Sequence, residues 1–329
     1  MRMLNTILMI CLVGARVYAA DLPISDLTIK AAPVAIDAEN INNRTFGRLK
    51  YLYGAELTSD AELFGGLSGL IIEKTPKGKR LVILGDKGGW FTADLGVASD
   101  NITLSAAKYA PYSPSEIIVN ERFKMFDGEG LTLLKNGDKP RYLVAFESLH
   151  ELYEYDHFGG AGIYSPYNEC ADFSVGSRNG GLEAITITLA GKLLAFKERG
   201  QDIKNRLPVY LCGDGVGEQL YFQPPKNYAP TAARTLPNGD VLLLTRRYNL
   251  TDGLGIKLLR IKGADIHAGA TLIGTQIATF TPPLAIDNME AMDFEILDDG
   301  RIIVYMLSDN NFNTSIQKTL LLVFELMDN

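Results

Sequence analysis

Apolar and polar positions alternate along most of this chain, and the alternation comes in pairs of short runs separated by a glycine-containing turn. Alternation with a period of two places successive side chains on opposite faces of a β-strand. Five segments share one plan: a small or acidic anchor, alternating apolar residues, a turn, and a strongly apolar run ending in a charge. Phe64 to Leu70 (FGGLSGL) leads through Pro76-Lys77-Gly78 to Leu81-Val82-Ile83-Leu84 and Asp86. Asp127 to Leu133 (DGEGLTL) leads through Asn136-Gly137 to Tyr142–Phe146 and Glu147. Asn179 to Ile187 (NGGLEAITI) leads through Ala190-Gly191 to Leu193–Phe196 and Glu198-Arg199. Ala229 to Ala233 (APTAA) leads through Asn238-Gly239 to Val241–Leu244 and Arg246-Arg247. Asp287 to Phe294 (DNMEAMDF) leads through Asp299-Gly300 to Ile302–Met306 and Ser308-Asp309. Such turns between two β-rich runs predict hairpins, because glycine adopts the positive φ that a tight turn requires.

The register repeats. From Glu129 to Gly137, Glu183 to Gly191 and Thr231 to Gly239 the separation is eight residues each time; from Glu183 to Glu198 and from Thr231 to Arg246 it is fifteen. The anchors Ser68, Glu129, Glu183, Thr231 and Glu290 lie 61, 54, 48 and 59 residues apart. That is too far for leucine-rich or ankyrin repeats and right for four-stranded blades with loops, so the expected fold is all-β, a single β-propeller over residues 21–329. Residues 21–61 precede the first clear unit and suggest a sixth blade; five is the other count. The strand-like tail Thr319 to Leu326 is expected to pair near the N-terminal strand and close the ring, leaving only short protected edges. Long helical periodicity is absent, and no charged or Ser/Pro-rich linker marks a domain boundary.

Closure in a ring has a chemical consequence, since residues at equivalent ends of successive inner strands then face one another around the axis. Glu129, Glu183 and Glu290 hold the anchor position in three units, each amid glycine, alanine or apolar residues. Crowded carboxylates repel, and the crowding is relieved by raised pKa values, by salt bridges to arginine, or by a divalent cation. Ca²⁺ takes six to eight oxygen ligands in adaptable geometry, and the expected ligands are Glu129, Glu183, Glu290 and Asn288. Asp86, Glu147, Glu198 and Asp309, at the ends of the apolar strands, form a second candidate set near the same mouth. Arg199, Arg246 and Arg247 supply positive charge suited to bidentate recognition of phosphate or carboxylate. Lys87 and Asn310, each next to one of those acids, and His150, three residues after Glu147, complete the candidate substrate-binding residues. Structural salt bridges between blades are the competing explanation for the anchor glutamates, ordinary solvated charge at strand ends for the second set of acids, and an ion pair with a neighbouring acid for Arg246-Arg247. Asp298-Asp299-Gly300 resembles a calcium loop, but the register makes it a hairpin turn.

Charge and cysteine use narrow the class of partner. A charge at Arg2, an apolar run from Leu4 to Val13 and small residues near Ala20 read as a secretory signal ending before Asp21, and the run is too short to span a bilayer. Its removal takes Arg2 and Arg16 and no acid, leaving 30 basic against 39 acidic side chains. With no basic run to neutralise phosphates, nucleic acid is a poor partner; a small-molecule ligand and a monomer are expected. Cys170 and Cys212 could form one disulfide in an oxidising compartment, whereas their spacing matches no zinc site.

Several ordered motifs, spanning about Phe46 to Leu326, resemble the phytase-like (esterase-like activity of phytase) family of exported bacterial proteins. They are FGGLSGL with GDKGGW (Gly85 to Trp90), DGEGL with AFESLHELYEY (Ala145 to Tyr155), GGLEAIT with AFKER (Ala195 to Arg199), LPNGDVLLLTRRY (Leu236 to Tyr248), and DNMEAM with SDNNF and QKTLLLVFEL. The resemblance implies a β-propeller, periplasmic or secreted location, and calcium-dependent hydrolysis of phosphate esters. Ser148 departs from the family, which often has Arg or Asp there.

The leading expectation is therefore a metal-dependent hydrolase of a phosphate ester, with Glu129, Glu183 and Glu290 holding Ca²⁺ and Arg199 or Arg246 stabilising developing charge. No G-x-S-x-G elbow supports a serine triad. Two alternatives stand beside it: a lactonase-like propeller in which the same ion polarises a carbonyl, and a non-catalytic propeller that binds a ligand or protein around a structural metal.

Overall fold

The computed structural model describes residues 23–114, 127–135, 139–174, 180–213 and 215–327. The expected signal segment, the Asn136-Gly137 turn and Asn179 lie outside those residues. The rest is a five-bladed β-propeller. From the axis outward, blade 1 comprises Leu67–Thr75, Gly78–Gly85, Gly89–Ala98 and Asn101–Pro111, with Ser25–Asp26 on its outer edge. Blade 2 comprises Gly128–Leu134, Arg141–Phe146, Glu151–Tyr155 and Ala161–Tyr164, and blade 3 comprises Leu182–Ile187, Leu193–Lys197, Leu207–Gly213 and Val216–Phe222. Blade 4 comprises Ala229–Thr235, Val241–Asn249, Gly253–Ile261 and Thr275–Phe280.

Blade 5 is built from both ends of the chain. Asn288–Ile296, Ile302–Asp309 and Leu320–Leu326 come from the C-terminal end, Leu49–Thr58 and Lys30–Pro33 from the N-terminal end. Leu320–Leu326 runs antiparallel to Leu49–Thr58, pairing Leu321 with Ala55 and Leu326 with Leu49. The ring is thus closed by main-chain hydrogen bonds between the termini, as the apolar tail predicts. Of the two counts, five holds, because the strands of residues 21–61 are absorbed by neighbours: Ser25–Asp26 extends blade 1, and the others complete blade 5. Each hydrophobic cluster spans a blade interface. The cluster between blades 1 and 2 is built around Trp90, Tyr112, Tyr142 and Tyr155; that between blades 5 and 1 around Phe91, Tyr305 and Leu321. No blade buries its faces alone, which is why the repeats fold as a ring. A disulfide joins Cys170 and Cys212, whose Cα atoms are 5.8 Å apart, tying the segment after blade 2 to the third strand of blade 3.

One local irregularity recurs in all five blades and positions everything that follows. The inner hairpins slip register at Leu67/Gly69, Gly128/Gly130, Leu182/Ala184, Pro230/Ala232 and Met289/Ala291. The extra residue in each β-bulge is the anchor: Ser68, Glu129, Glu183, Thr231 or Glu290. A bulge bends the strand and re-aims the extra side chain. The residue after each anchor is small, Gly69, Gly130, Ala184, Ala232 or Ala291, because the inner strands approach closely there; a Cβ on Gly69 would sit 2.6 Å from the Cβ of Leu131 in the next blade. Where the anchor is a hydroxyl it staples neighbours: Ser68 Oγ donates to the Gly128 carbonyl, and Thr231 Oγ1 donates to the Met289 carbonyl at 3.0 Å.

Candidate active site

The bulged positions form one ring of side chains around the channel, and a second ring follows from the pairing. The residue just before each anchor pairs with Gly85, Phe146, Lys197, Thr245 and Ser308. The next residues on those second strands are Asp86, Glu147, Glu198, Arg246 and Asp309, which are therefore structurally equivalent. Every member of both rings except Thr231 lines one cavity of about 930 Å³ at one mouth of the channel. Asp127 and Asp287 add to it, so among the described residues nine carboxyls line the cavity against the guanidiniums of Arg199 and Arg246.

Close approach of the two rings depends on backbone as well as side chains. Gly66 has a left-handed φ of +60°, and a Cβ there would sit 1.8 Å from Asp86 Oδ1. Asp86 donates its N–H to the Gly66 carbonyl at 2.7 Å, and Glu147 donates its own to the Asp127 carbonyl at 2.9 Å. Asp309 Oδ1 accepts from the N–H groups of Leu67 (3.1 Å) and Asn311 (2.8 Å), joining blades 5 and 1.

The carboxyls fall into two tight groups that share Glu147. Within Asp127, Glu129 and Glu147, and again within Glu147, Glu183 and Glu198, one oxygen from each lies within 4.8 Å of the others. Burial, then Glu183 and Asp127, push Glu129 well above the ordinary carboxylate range. Burial, then Glu198 and Glu290, do the same to Glu183, and Glu147 is raised by burial and Asp127. Asp86 is pushed up to about 7 by burial and by Asp309 and Asp127, and its Oδ1 is buried without a hydrogen-bond partner. Glu290 reaches about 7 through burial, opposed by Arg246. The folded ring holds these groups in a state where each resists ionisation, first because burial strips its solvation and then because acids stand among its neighbours.

Arginine compensates unevenly. Arg246 Nε lies 3.0 Å from Glu290 Oε1 and its Nη2 lies 3.6 Å from Glu198 Oε1. Arg199 Nε pairs with Glu198 Oε2 at 3.0 Å and its side chain is largely exposed. The Asn288 side chain hydrogen-bonds Glu290, while its N–H donates to Asp287 Oδ1 at 2.8 Å. Glu290 and Glu198 thus pair directly with arginine, whereas Arg246 acts on Glu183 and Arg199 on Glu147 only as weaker attractions set against burial and neighbouring acids.

Four candidates lie outside the cavity lining. Arg247 follows Arg246 on a strand, so alternation turns it away, over the Tyr228 ring at 5.1 Å, where it donates to the Asp252 carbonyl at 2.9 Å. Lys87 sits over the Phe312 ring, 3.2 Å from its centroid. Asn310 is buried and its Oδ1 accepts from the Phe312 N–H at 2.9 Å. His150 occupies a left-handed turn position, φ +54°; burial and Lys197 lower its pKa. Asp127 and Asp287 were not among the sequence candidates. An acid two or three residues before an anchor, as in Asp127-Gly128-Glu129 and Asp287-Asn288-Met289-Glu290, was the available signal.

The family model described as Phytase-like: Esterase-like activity of phytase matches residues 62–312. No curated protein matches the chain. Solved structures similar to it include a protein of unknown function from Dyadobacter fermentans, 12% identical with a TM-score of 0.42 over 85% of this chain and 99% of that one. An α-L-arabinanase from Penicillium chrysogenum complexed with arabinobiose is 13% identical, with a TM-score of 0.41 over 93% and 99%. A protein of unknown function from Bacteroides caccae is 11% identical, with a TM-score of 0.34 over 69% of this chain; the chain spans 64% of that protein's length. At these TM-scores the likenesses carry no argument about chemistry.

Proposed function

The chain belongs to the phytase-like family, esterase-like activity of phytase, and from that premise we propose that the channel-mouth cavity hydrolyses phosphoric esters with the help of a bound calcium ion. The observation that carries this reading is the one-sided charge: among the described residues, nine carboxyls and two guanidiniums around a single cavity. A cation suits the donors, which are all oxygens, and relieves a feature that is otherwise costly, the mutual repulsion of Glu129 and Glu183. Calcium, with its adaptable oxygen shell, suits donors arriving from several blades better than octahedral magnesium does. Glu129, Glu147 and Glu183 would hold the ion, with Asp127 and Glu198 beside them.

When bound there, calcium polarises a phosphoryl oxygen and lowers the pKa of a water molecule. The chain's own groups do the rest. Arg246, fixed by Glu290 and Glu198, and Arg199, fixed by Glu198, offer oriented donors to the phosphoryl oxygens and to the charge that grows as the ester bond breaks. Glu290, expected from sequence among the ligands, holds Arg246 in this reading, and Asn288, expected likewise, stands beside Glu290. Asp86 is a carboxyl that keeps a proton near neutral pH, the property needed to protonate a departing alkoxide.

Export belongs to the same proposal. Residues 1–20 read as a signal, and a Cys170–Cys212 disulfide persists in an oxidising compartment such as the periplasm or the exterior. Among the described residues no helix is long and apolar enough to cross a membrane. The reading is of a monomer acting on a small molecule. The test is a screen of the purified protein against phosphate esters, carboxyl esters and lactones, with and without chelator. Release of phosphate that stops on chelation and returns with Ca²⁺ is expected. Turnover of lactones or carboxyl esters alone replaces this reading with another esterase chemistry; no turnover, with a melting temperature that falls on chelation, makes the protein a ligand-binding propeller.

A further inference from the structure

The cavity lining is divided between blades in a way the hydrolytic reading does not use. Among the described residues the lining from blades 1 to 3 includes no apolar side chain; the apolar residues Tyr248, Leu254, Ile286 and Ile316 belong to blades 4 and 5. Tyr248 pairs with Leu254 across two strands of blade 4, and it stands on the same strand face as Arg246, two residues before it. Ile286 enters blade 5, and Ile316 lies in the loop between its second and third strands.

These side chains are placed as a wall. Leu254 and Ile286 are half-buried and packed against the blade 4–5 core, which fixes their position. Tyr248 and Ile316 are 74% and 77% exposed, so their apolar surface is available to something entering the cavity. A volume of about 930 Å³ suits a small organic molecule rather than a bare phosphate. Charge narrows the class further. A polyol bearing six phosphates brings roughly nine or more negative charges, and among the described residues it would meet nine carboxyls with two guanidiniums beside them.

Resting on the phosphoric-ester reading above, we propose that the substrate is a monoester of phosphoric acid with an aryl or alkyl alcohol, whose apolar group lies on the wall of Tyr248, Leu254, Ile286 and Ile316 while its single phosphoryl group meets Arg246. In the reaction a water oxygen bonds to phosphorus and the P–O bond to the organic group breaks. The departing alcohol oxygen takes a proton, and inorganic phosphate and the alcohol are released. Densely phosphorylated polyols are poor substrates because the site repels them before any contact with the wall.

The test separates binding from turnover. Phenylphosphonate and methylphosphonate, which cannot be hydrolysed at this bond, are titrated calorimetrically in calcium buffer into the wild-type protein, Tyr248→Ala and Ile316→Ser. Both substitutions are at exposed positions, so the fold survives them. The expected result is phenylphosphonate bound about tenfold more tightly than methylphosphonate, as burial of part of a ring predicts. That ratio falls towards one in Tyr248→Ala and falls part of the way in Ile316→Ser. In parallel, kcat/KM for phenyl phosphate exceeds that for inositol hexakisphosphate by at least about a hundredfold, as opposed charge patterns require. Equal affinities in the wild type, a ratio unmoved by both variants, or faster phosphate release from the hexakisphosphate overturns the proposal. A phenyl preference lost in Tyr248→Ala, with no phosphoric ester turned over, supports the apolar wall and removes the hydrolase reading instead.

Discussion

The two layers of the channel are built from the same strands, three residues apart, and they treat charge in opposite ways. At the bulged layer Glu129, Glu183 and Glu290 meet one another and the acids of the strand-end ring. Three residues further along, Arg234 of blade 4 and Asp293 of blade 5 form a closed set: Arg234 Nε donates to Asp293 Oδ1 at 2.9 Å and its Nη1 to the Ala233 carbonyl at 2.7 Å. Its Nη2 reaches the Leu70 carbonyl, and the Ile72 N–H donates to Asp293 Oδ2 at 2.7 Å, so blades 4, 5 and 1 are joined. Burial pushes the Asp293 carboxyl up while Arg234 pulls it down. One layer balances its charges internally and ties three blades together; the other leaves them unbalanced beside a cavity. Buried charge that is paired and hydrogen-bonded explains itself structurally, whereas charge left unpaired beside a cavity asks for a partner.

That contrast can be broken at either layer. Asp293→Ala leaves Arg234 buried without its counter-ion and is expected to lower stability by about 3–5 kcal/mol, read by urea denaturation. A small change there would mean the pair does not hold the blades. Glu147→Gln touches the residue shared by both acidic groups, and is expected to reduce turnover about 10²–10³-fold with native-like stability, by steady-state assay. Full activity in that variant removes Glu147 from the site. Arg246→Lys keeps the charge but loses the fork that spans Glu290 and Glu198; roughly a tenfold fall in kcat is expected, with calcium affinity little changed.

The smallest effect is in pH dependence. A carboxyl whose folded pKa lies above its unfolded value stabilises the fold when protonated, and that contribution disappears as pH rises through the folded value. For Asp86 the window runs from 3.8 to about 7, and for Glu290 from 4.5 to about 7. Chelator-stripped protein is therefore expected to lose melting temperature as pH rises from about 4 to about 7, and saturating Ca²⁺ to flatten that slope. Asp202, held down to about 2 by Arg206, loses its contribution at lower pH and does not mask the window. A stripped protein with no such slope would mean that the channel-mouth acids are relaxed without an ion.

Much of this was legible because propeller symmetry converts sequence register into spatial neighbourhood. The equal spacing from anchor to turn revealed the hairpins, and the three anchor glutamates do meet. The strand-end set Asp86, Glu147, Glu198 and Asp309 proves equivalent by pairing, with Arg246 as its fifth member. Less accessible was what depends on local geometry. The bulge that aims each anchor leaves only a faint mark, a small residue immediately after it. Arg247, which alternation turns away from Arg246, looks like its twin in sequence. The blade count turned on where residues 21–61 pair, and their partners lie at the far end of the chain. The wall of Tyr248, Leu254, Ile286 and Ile316 comes from four separate places and has no motif.

The central claim is that the unbalanced layer is a cation site, and calcium titration of chelator-stripped wild-type protein and Glu183→Gln, followed by calorimetry, tests it most directly. Saturable binding in the wild type, weakened about a hundredfold or more in the variant, is the predicted result. Absence of binding in the wild type, or equal affinity in both proteins, contradicts it.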